Sequence, residues 1–492
     1  MARNSSNEVL LIFPGRYGAP NPQVPLSLLY LAGSLMQNGY KARILDMRVE
    51  NYRKASVGTP LFVGISCMSG LQISFGLEFA RMMRELDPGC PIVWGGVHPT
   101  ILPSQTVQNE HVDIVVRGEG EGTVVKLAER FGSGGGLEGI DGITYKVKGG
   151  QTASSPATIT SAPDAPFVDL DATPVESPFE LLRLEKYPSL RSGRFHMQTS
   201  RGCPHRCGFC YNTVFNKCRW RSKKPSRVLD EMEHAKKKFS GINCLDIIDD
   251  NYFVDRKRVE EICHGMIERG IDIPWRADCR FDYMSRYDRE FLELLEKSGC
   301  KELNFGAETG SERLLLSIKK DVSPEQMMTS LRKMKEWAPG ISSYIFWMSG
   351  FPTETREDLE DTFRLMDNLS GMNPKTQHIE ICVYTPYPSP MLDMLPAEFR
   401  PPKTMEEWGR EDVFHFRPPW HPKEYVDLLV NVSIVTRYAF FPEDRIKEFS
   451  PFYRVGYKAA NKIAKYRWRH KNFSYPLELK IVSGLARKVR GY

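Results

Sequence analysis

The 492-residue chain carries 67 Lys and Arg against 61 Asp and Glu, with 26% of its residues charged and a net charge of +6. That length allows two to four domains, each with its own core, and no uninterrupted apolar run approaches the ~18 to 20 residues of a membrane span. Met1 to Glu8 are polar and lead straight into a strand, so neither a signal nor a transit peptide is expected and the protein is read as cytoplasmic. From residue 8 to 131 short apolar runs alternate with helical stretches. The strands are Val9–Phe13, Ala42–Leu45, Leu61–Ile65, Ile92–Trp94 and Val112–Val116, and the helices are Leu26–Gln37, Leu71–Leu86 and Glu121–Phe131. Such alternation predicts a doubly wound parallel sheet, whose ligands sit at the strand carboxyl ends. Those ends carry Tyr17, Ser66, Ser69, Gly70, Gly95, Gly96, His98, Gly118 and Glu119.

The alternation stops at the Gly-rich 132–136 stretch, and Ala153 to Pro178 has the Ser, Thr, Ala, Asp and Pro content of a linker. The expected division is a first domain over 1–150, a linker over 151–194, a barrel over 195–395 and a helical basic region over 396–492. Within the third segment six strands are predicted: Phe195–Thr199, Cys244–Ile248, Trp275–Asp278, Glu302–Phe305, Ser343–Trp347 and His378–Val383. Six β/α repeats make a partial TIM-type barrel, with its site at the strand carboxyl ends. Asp249, Asp250, Arg280, Glu308 and Tyr384 stand there.

Cys203, Cys207 and Cys210 hold the spacing Cys-x3-Cys-x2-Cys. A structural zinc ion would need a fourth ligand, with His205 and Cys218 the nearest candidates. Three thiolates instead suit a 4Fe-4S cluster with one iron left open. The other cysteines, Cys67, Cys90, Cys244, Cys263, Cys279, Cys300 and Cys382, are isolated in apolar or strand-like contexts, as reduced thiols of a reducing compartment are.

The triplet, with Phe209 before its last cysteine, resembles the signature of the radical S-adenosylmethionine (SAM) superfamily. That resemblance implies that SAM chelates the open iron and is cleaved on reduction to a 5'-deoxyadenosyl radical. It also implies SAM contacts from Phe209, Asp249, Asp250, Arg280, Glu308 and Tyr384. The front segment, with its Gly-Gly-x-His-Pro-Thr and Arg-Gly-Glu-Gly-Glu turns, is similar to the cobalamin-binding, Rossmann-like domain of cobalamin-dependent radical SAM enzymes. The lower-ligand motif Asp-x-His-x-x-Gly is missing from the chain, so the cobalt is expected to lack that histidine; His98 is the nearby candidate.

The resemblance implies C-methylation of an unactivated carbon in a small-molecule or lipid-like substrate, with flavodoxin or ferredoxin as reductant. The alternatives are a cyclase like the anaerobic magnesium-protoporphyrin ester cyclase and an RNA methylthiotransferase. The latter normally has three further front cysteines, whereas only Cys67 and Cys90 are present there. Residues 445–492 hold a net charge of +11 and leave about −5 on the rest. This tail is read as a helical cap or an anionic-membrane contact, and with no RNA-binding module visible no nucleic-acid partner is expected.

Overall fold

The computed structural model describes residues 6–19, 21–147, 158–174, 177–397, 399–410, 416–440 and 451–490. Five strands of the first sheet run parallel: Glu8–Phe13 (β1), Lys41–Asp46 (β2), Phe62–Ser66 (β3), Ile92–Gly95 (β4) and Ile114–Val116 (β5). Continuous apolar sequence explains β1, because both of its faces are covered. Val9 and Leu11 pack with Leu28 and Leu29 of helix Leu26–Gln37, whereas Leu10 and Ile12 pack with Ile73, Leu77 and Phe79 of helix Leu71–Leu86.

Ile143–Val147 (β6) and Thr158–Ser161 (β7) complete the order β2-β1-β3-β4-β5-β6-β7, and both pair antiparallel. The expected parallel sheet is present in β1 to β5, and the two antiparallel strands extend it into a mixed sheet. It also continues past residue 150, since β7 lies inside the segment read as linker. β7 follows β6 too closely for a crossover helix, which leaves antiparallel pairing.

The second sheet contains six parallel strands in sequential order: Arg194–Met197 (β8), Cys244–Ile247 (β11), Trp275–Cys279 (β12), Cys300–Glu308 (β13), Ser342–Ser349 (β14) and Thr376–Val383 (β15). A two-stranded ribbon of Ser200–Arg201 (β9) and Arg221–Ser222 (β10) brackets the cysteine loop. Four of the crossover helices begin on side-chain caps. Asp255 caps Arg256–Glu268 and Asp288 caps Arg289–Lys297, while Ser323 with Gln326 and Thr355 with Asp358 form capping boxes on Pro324–Trp337 and Arg356–Met372. Among the described residues β15 does not pair with β8, so the barrel is open, as expected.

The region read as one C-terminal domain divides in two. Met405–Arg410 returns to the first domain, where Ser74 Oγ donates to the Gly409 carbonyl at 2.8 Å and Trp408 meets His98 edge to face. Lys423–Ala439 instead lies along β15, with the Ile381 N–H donating to Thr436 Oγ1 at 3.1 Å. Against it packs Pro451–Arg469, whose Trp468 Nε1 donates to Asp367 Oδ1 at 2.8 Å. These contacts support the covering role for the basic tail, of which residues 441–450 and 491–492 lie outside the described residues. Among the described residues no helix is long and apolar enough to cross a membrane.

Candidate active site

The cysteine loop begins at Gly202, which has φ +85°; a Cβ there would lie 2.0 Å from the Arg219 carbonyl oxygen, so only glycine fits. The loop is pinned on both sides. The Gly208 N–H donates to the Ile318 carbonyl at 2.8 Å, and the Met391 N–H donates to the Gly208 carbonyl at 2.9 Å. Cys207 is buried and Cys203 and Cys210 are half-buried, all three as free thiols. Asn251 Nδ2 lies 3.7 Å from Cys203 Sγ and Arg280 Nη1 lies 3.5 Å from Cys207 Sγ, so both donors face sulfur. Burial pushes the Cys210 thiol up to about 12 and raises Cys203, which makes their thiolates stable only against a cation.

Among the described residues no three Cys, His, Asp or Glu side chains converge on a single ion. A 4Fe-4S cluster puts each thiolate on a different iron, so its ligands surround a larger body, and the donor set fits that group. Of the two zinc candidates, His205 has another partner. His205 Nε2 pairs with Tyr283 Oη at 2.9 Å, and Cys218 lies beyond the loop at φ +54°.

The two adjacent aspartates have different tasks. Asp249 is buried and accepts from Thr199 N–H, Thr199 Oγ1 and Ser200 Oγ, each at 2.6 Å, so it staples the strand leading into the loop. The expected SAM contact at Asp249 is corrected to this structural one. Asp250 accepts from Gly202 N–H at 2.8 Å and Tyr211 Oη at 2.9 Å, and it borders the open cavity.

Arg280 donates to Asp282 Oδ1 at 2.8 Å and to the Lys320 carbonyl at 2.7 Å. Glu308, at φ +65°, accepts from Lys320 Nζ at 2.6 Å. Gly306 makes room for that pair, because a Cβ there would lie 2.3 Å from the Glu308 carboxylate. Lys320 and Asp282 were not foreseen. Asn251 had a sequence signal in its place directly after the two aspartates, whereas Lys320 follows a helix and had none. Phe209 and Tyr384 belong to an apolar cluster with Phe351, on which Tyr384 stacks at 5.2 Å.

A cavity of about 450 Å³ opens at the carboxyl ends of β1, β3, β4 and β5. Ser66, Gly95, Gly96, Gly118 and Glu119 of the expected residues line it, together with unforeseen Gly64 and Met68. A Cβ on Gly118 would meet nothing within 4 Å and would stand in open space, so the backbone is bared for a broad, flat ligand. The lining therefore fits cobalamin. Tyr17, Ser69, Gly70 and His98 are not among the lining residues. His98 is wholly buried, with Nδ1 2.8 Å from Ser69 Oγ and its ring against Trp408. Burial pushes its imidazole down to about 4. The ligand expectation at His98 is corrected to a packing role.

The same cavity is lined from the other side by Gln198, Arg201, Tyr211 and Asp250 of the cysteine-loop region. Its two halves are joined by ion pairs. Glu119 accepts from Arg221 Nη2 at 2.7 Å and from Arg201 Nη1 at 3.1 Å, and Glu121 from Arg201 Nη2 at 2.7 Å. These guanidinium groups help to hold the Glu119 carboxyl below its ordinary range against the opposing effect of burial.

Comparisons with known proteins agree with this geometry. The B12 binding domain family model matches residues 19–128 and the Radical SAM superfamily model matches residues 197–366. An uncharacterised methyltransferase of Pyrococcus horikoshii is 28% identical over 398 residues, covering 78% of this chain and 82% of that protein. The anaerobic magnesium-protoporphyrin IX monomethyl ester cyclase of Rubrivivax gelatinosus is 26% identical over 380 residues, covering 74% of this chain and 64% of its own. Among solved structures, the radical SAM methyltransferase TsrM of Kitasatospora setae, with cobalamin and a 4Fe-4S cluster bound, aligns at TM-score 0.65 and 18% identity. That alignment spans 98% of this chain and 100% of TsrM, and at such identity it shows the fold. A B12 binding domain followed by a Radical SAM domain, with a methyltransferase among the relatives, fits a cobalamin-dependent radical SAM enzyme.

Proposed function

We propose that the protein methylates a carbon atom of a small-molecule or lipid-like substrate. The observation that carries this reading is the single cavity lined on one side by Gly95, Gly96 and Gly118 and on the other by Tyr211 and Asp250. Methyl transfer needs a corrinoid face and a radical source directed at one substrate carbon, and a shared space allows that. When bound, the cluster and SAM supply hydrogen abstraction and cobalamin supplies the methyl group.

This chain's residues bind and orient. Asp250, Arg280 and Glu308 are the proposed SAM contacts, with Phe209 and Tyr384 packing behind them. Asp250 keeps acceptor capacity beyond its two hydrogen bonds, and the Glu308–Lys320 pair presents both signs of charge to a zwitterion. Ser66, the three glycines and Glu119 are the proposed cobalamin contacts. The methyltransferase names of relatives support the reading, and flavodoxin or ferredoxin is the proposed reductant.

The test uses holoenzyme reconstituted anaerobically, methyl-deuterated SAM and candidate substrate pools. A product carrying the labelled methyl group, formed together with 5'-deoxyadenosine, is expected. An unlabelled, ring-closed or dehydrogenated product would overturn methyl transfer in favour of the cyclase reading, which the Rubrivivax relative supports. Cys67 and Cys90 are buried in the first core, so neither stands as a ligand for the additional cluster of a methylthiotransferase.

A further inference from the structure

The barrel lumen contains charged side chains in layers. At the lowest level, Asp246 on β11 pairs with Arg276 Nη2 at 2.5 Å and His196 Nδ1 at 3.2 Å, and Arg276 Nη1 reaches Glu302 on β13 at 2.8 Å. At the upper level, Asp250 has a backbone N–H and a phenol, and Glu308 has Lys320. Between the two levels stands Asp278.

Strand alternation fixes its direction. Ala277 and Cys279 are buried in the helix-facing core, so Arg276, Asp278 and Arg280 share the inner face, on which Arg280 meets Cys207. Asp278 pairs in register with Asn304, whose Nδ2 donates to Asp278 Oδ1 at 2.9 Å, and no cation pairs with its carboxylate among the described residues. Of the lumen carboxylates named, it is the one with neither a cation nor a backbone donor. Protein surrounds it on most sides although its side chain is open to the lumen, and this enclosure pushes its carboxyl up to about 6. Beside it, Ile248, directly after β11, is 40% exposed, and one level higher Phe346 on β14 is 42% exposed. Large apolar side chains open inside a barrel imply an apolar occupant. Ile248 also lines the 450 Å³ cavity, so one of the two apolar side chains borders the cofactor space.

We infer that Asp278, oriented by Asn304 and flanked by Ile248 and Phe346, anchors the amino group of an amine-bearing substrate whose apolar carbon skeleton extends toward the cysteine loop. Arg280 lies two residue steps beyond Asp278, about 7 Å along the strand, so the reacting carbon lies several bonds from the nitrogen. An ammonium ion supplies the missing charge, whereas a carboxylate or phosphonate is repelled. This inference rests on the methyl-transfer reading only for what happens to the carbon; the anchor itself is independent of it.

Calorimetric titration of the cluster- and cobalamin-loaded enzyme at pH 7.5 with hexylamine, hexanol and hexanoate tests the anchor. Hexylamine is expected to bind wild type with clear preference over hexanoate, and Asp278→Asn to weaken hexylamine about tenfold or more while leaving hexanol unchanged. Cluster absorbance checks that the variant is folded. Asp278→Glu keeps the charge and is expected to keep the amine-over-acid preference, so it carries the test if the Asn variant does not load. Equal hexylamine binding by wild type and Asp278→Asn overturns the proposal, as does loss of the preference in Asp278→Glu or a wild type that takes hexanoate as readily. Binding is read without turnover, so a failed methyl-transfer assay leaves this result standing, and a failed anchor leaves the methyl-transfer reading standing.

Discussion

The two sides of the shared cavity are built from opposite materials. The wall from the first domain is largely glycine and apolar side chain; Gly118 bares the backbone to open space, while Gly64 and Gly96 permit close packing, where a Cβ would meet Leu11 or the Cys67 backbone. Facing it, the barrel mouth is a network of charges in which Asp250, Arg280, Glu308 and Lys320 each have a fixed partner. The first wall selects by shape and the second by charge. A large macrocycle needs room and backbone approach, whereas a small zwitterion bound to a cluster needs donors and acceptors at set positions. Glu119 stands where they meet, turned toward Arg201 and Arg221 of the barrel although its backbone belongs to the first domain.

If that division is real, substitutions on one side should spare the other. The largest effect is expected from Cys207→Ala, which should remove SAM cleavage altogether yet leave cobalamin uptake near wild type, as absorption spectra of purified protein would report. Gly95→Leu should do the reverse. Its side chain enters the cavity, so cobalamin content should fall several-fold, while reductive SAM cleavage, followed as 5'-deoxyadenosine, stays within about twofold. Equal loss of both activities in either variant would break the comparison.

Glu119→Ala acts on the seam. It leaves Arg201 and Arg221 partly buried without that carboxylate, although Arg201 keeps Glu121, and a cost of about 3 kcal/mol is expected from such a broken pair. Thermal unfolding should move down by several degrees, and cobalamin retention should weaken together with it.

The smallest effect concerns Asp278 and sharpens the charged side. Its carboxyl is raised from 3.8 to about 6, chiefly by burial, with Asp246 and Asp249 adding to the rise and Asn304 and Arg276 opposing it. A raised carboxyl means that the folded state holds a proton the unfolded chain has already lost. Its contribution to stability is therefore complete below pH ~4 and is lost as pH rises through about 6. Asp278→Asn should raise the melting temperature at pH 7.5 and leave it unchanged at pH 4. A lower melting temperature at pH 7.5 would mean that the carboxylate is a structural asset.

Much of this arrangement was legible in the sequence because period and spacing carry it. The bounds of Leu26–Gln37 and Leu71–Leu86 agree with the apolar periodicity, and all six barrel strands lie where short apolar runs were read. The antiparallel β6 and β7 were missed because β6 is a short strand with polar residues in alternate positions, and β7 is a mostly polar edge strand set in a segment with linker composition.

The assignment of Asp249 failed for a different reason. Leu245, Ile247 and Asp249 share one face of the strand, and Asp246, Ile248 and Asp250 share the other, so alternation separates the two aspartates even where the motif treats them as one. His98 was a candidate, although a histidine before proline in a tight turn is more often structural, and the sequence around it gives no sign of the tryptophan that covers it, which arrives from residue 408. Lys320 was invisible because its partner Glu308 is reached only through the turn after β13.

The central claim is that two separate cofactor sites open into one cavity, and iron and cobalamin contents measured on the same anaerobic preparations test it most directly. Wild type should hold about four irons and one cobalamin per chain, and the triple variant Cys203→Ala, Cys207→Ala, Cys210→Ala should lose the iron and keep the cobalamin. Iron retained by the triple variant, or cobalamin absent from wild type, would contradict the account.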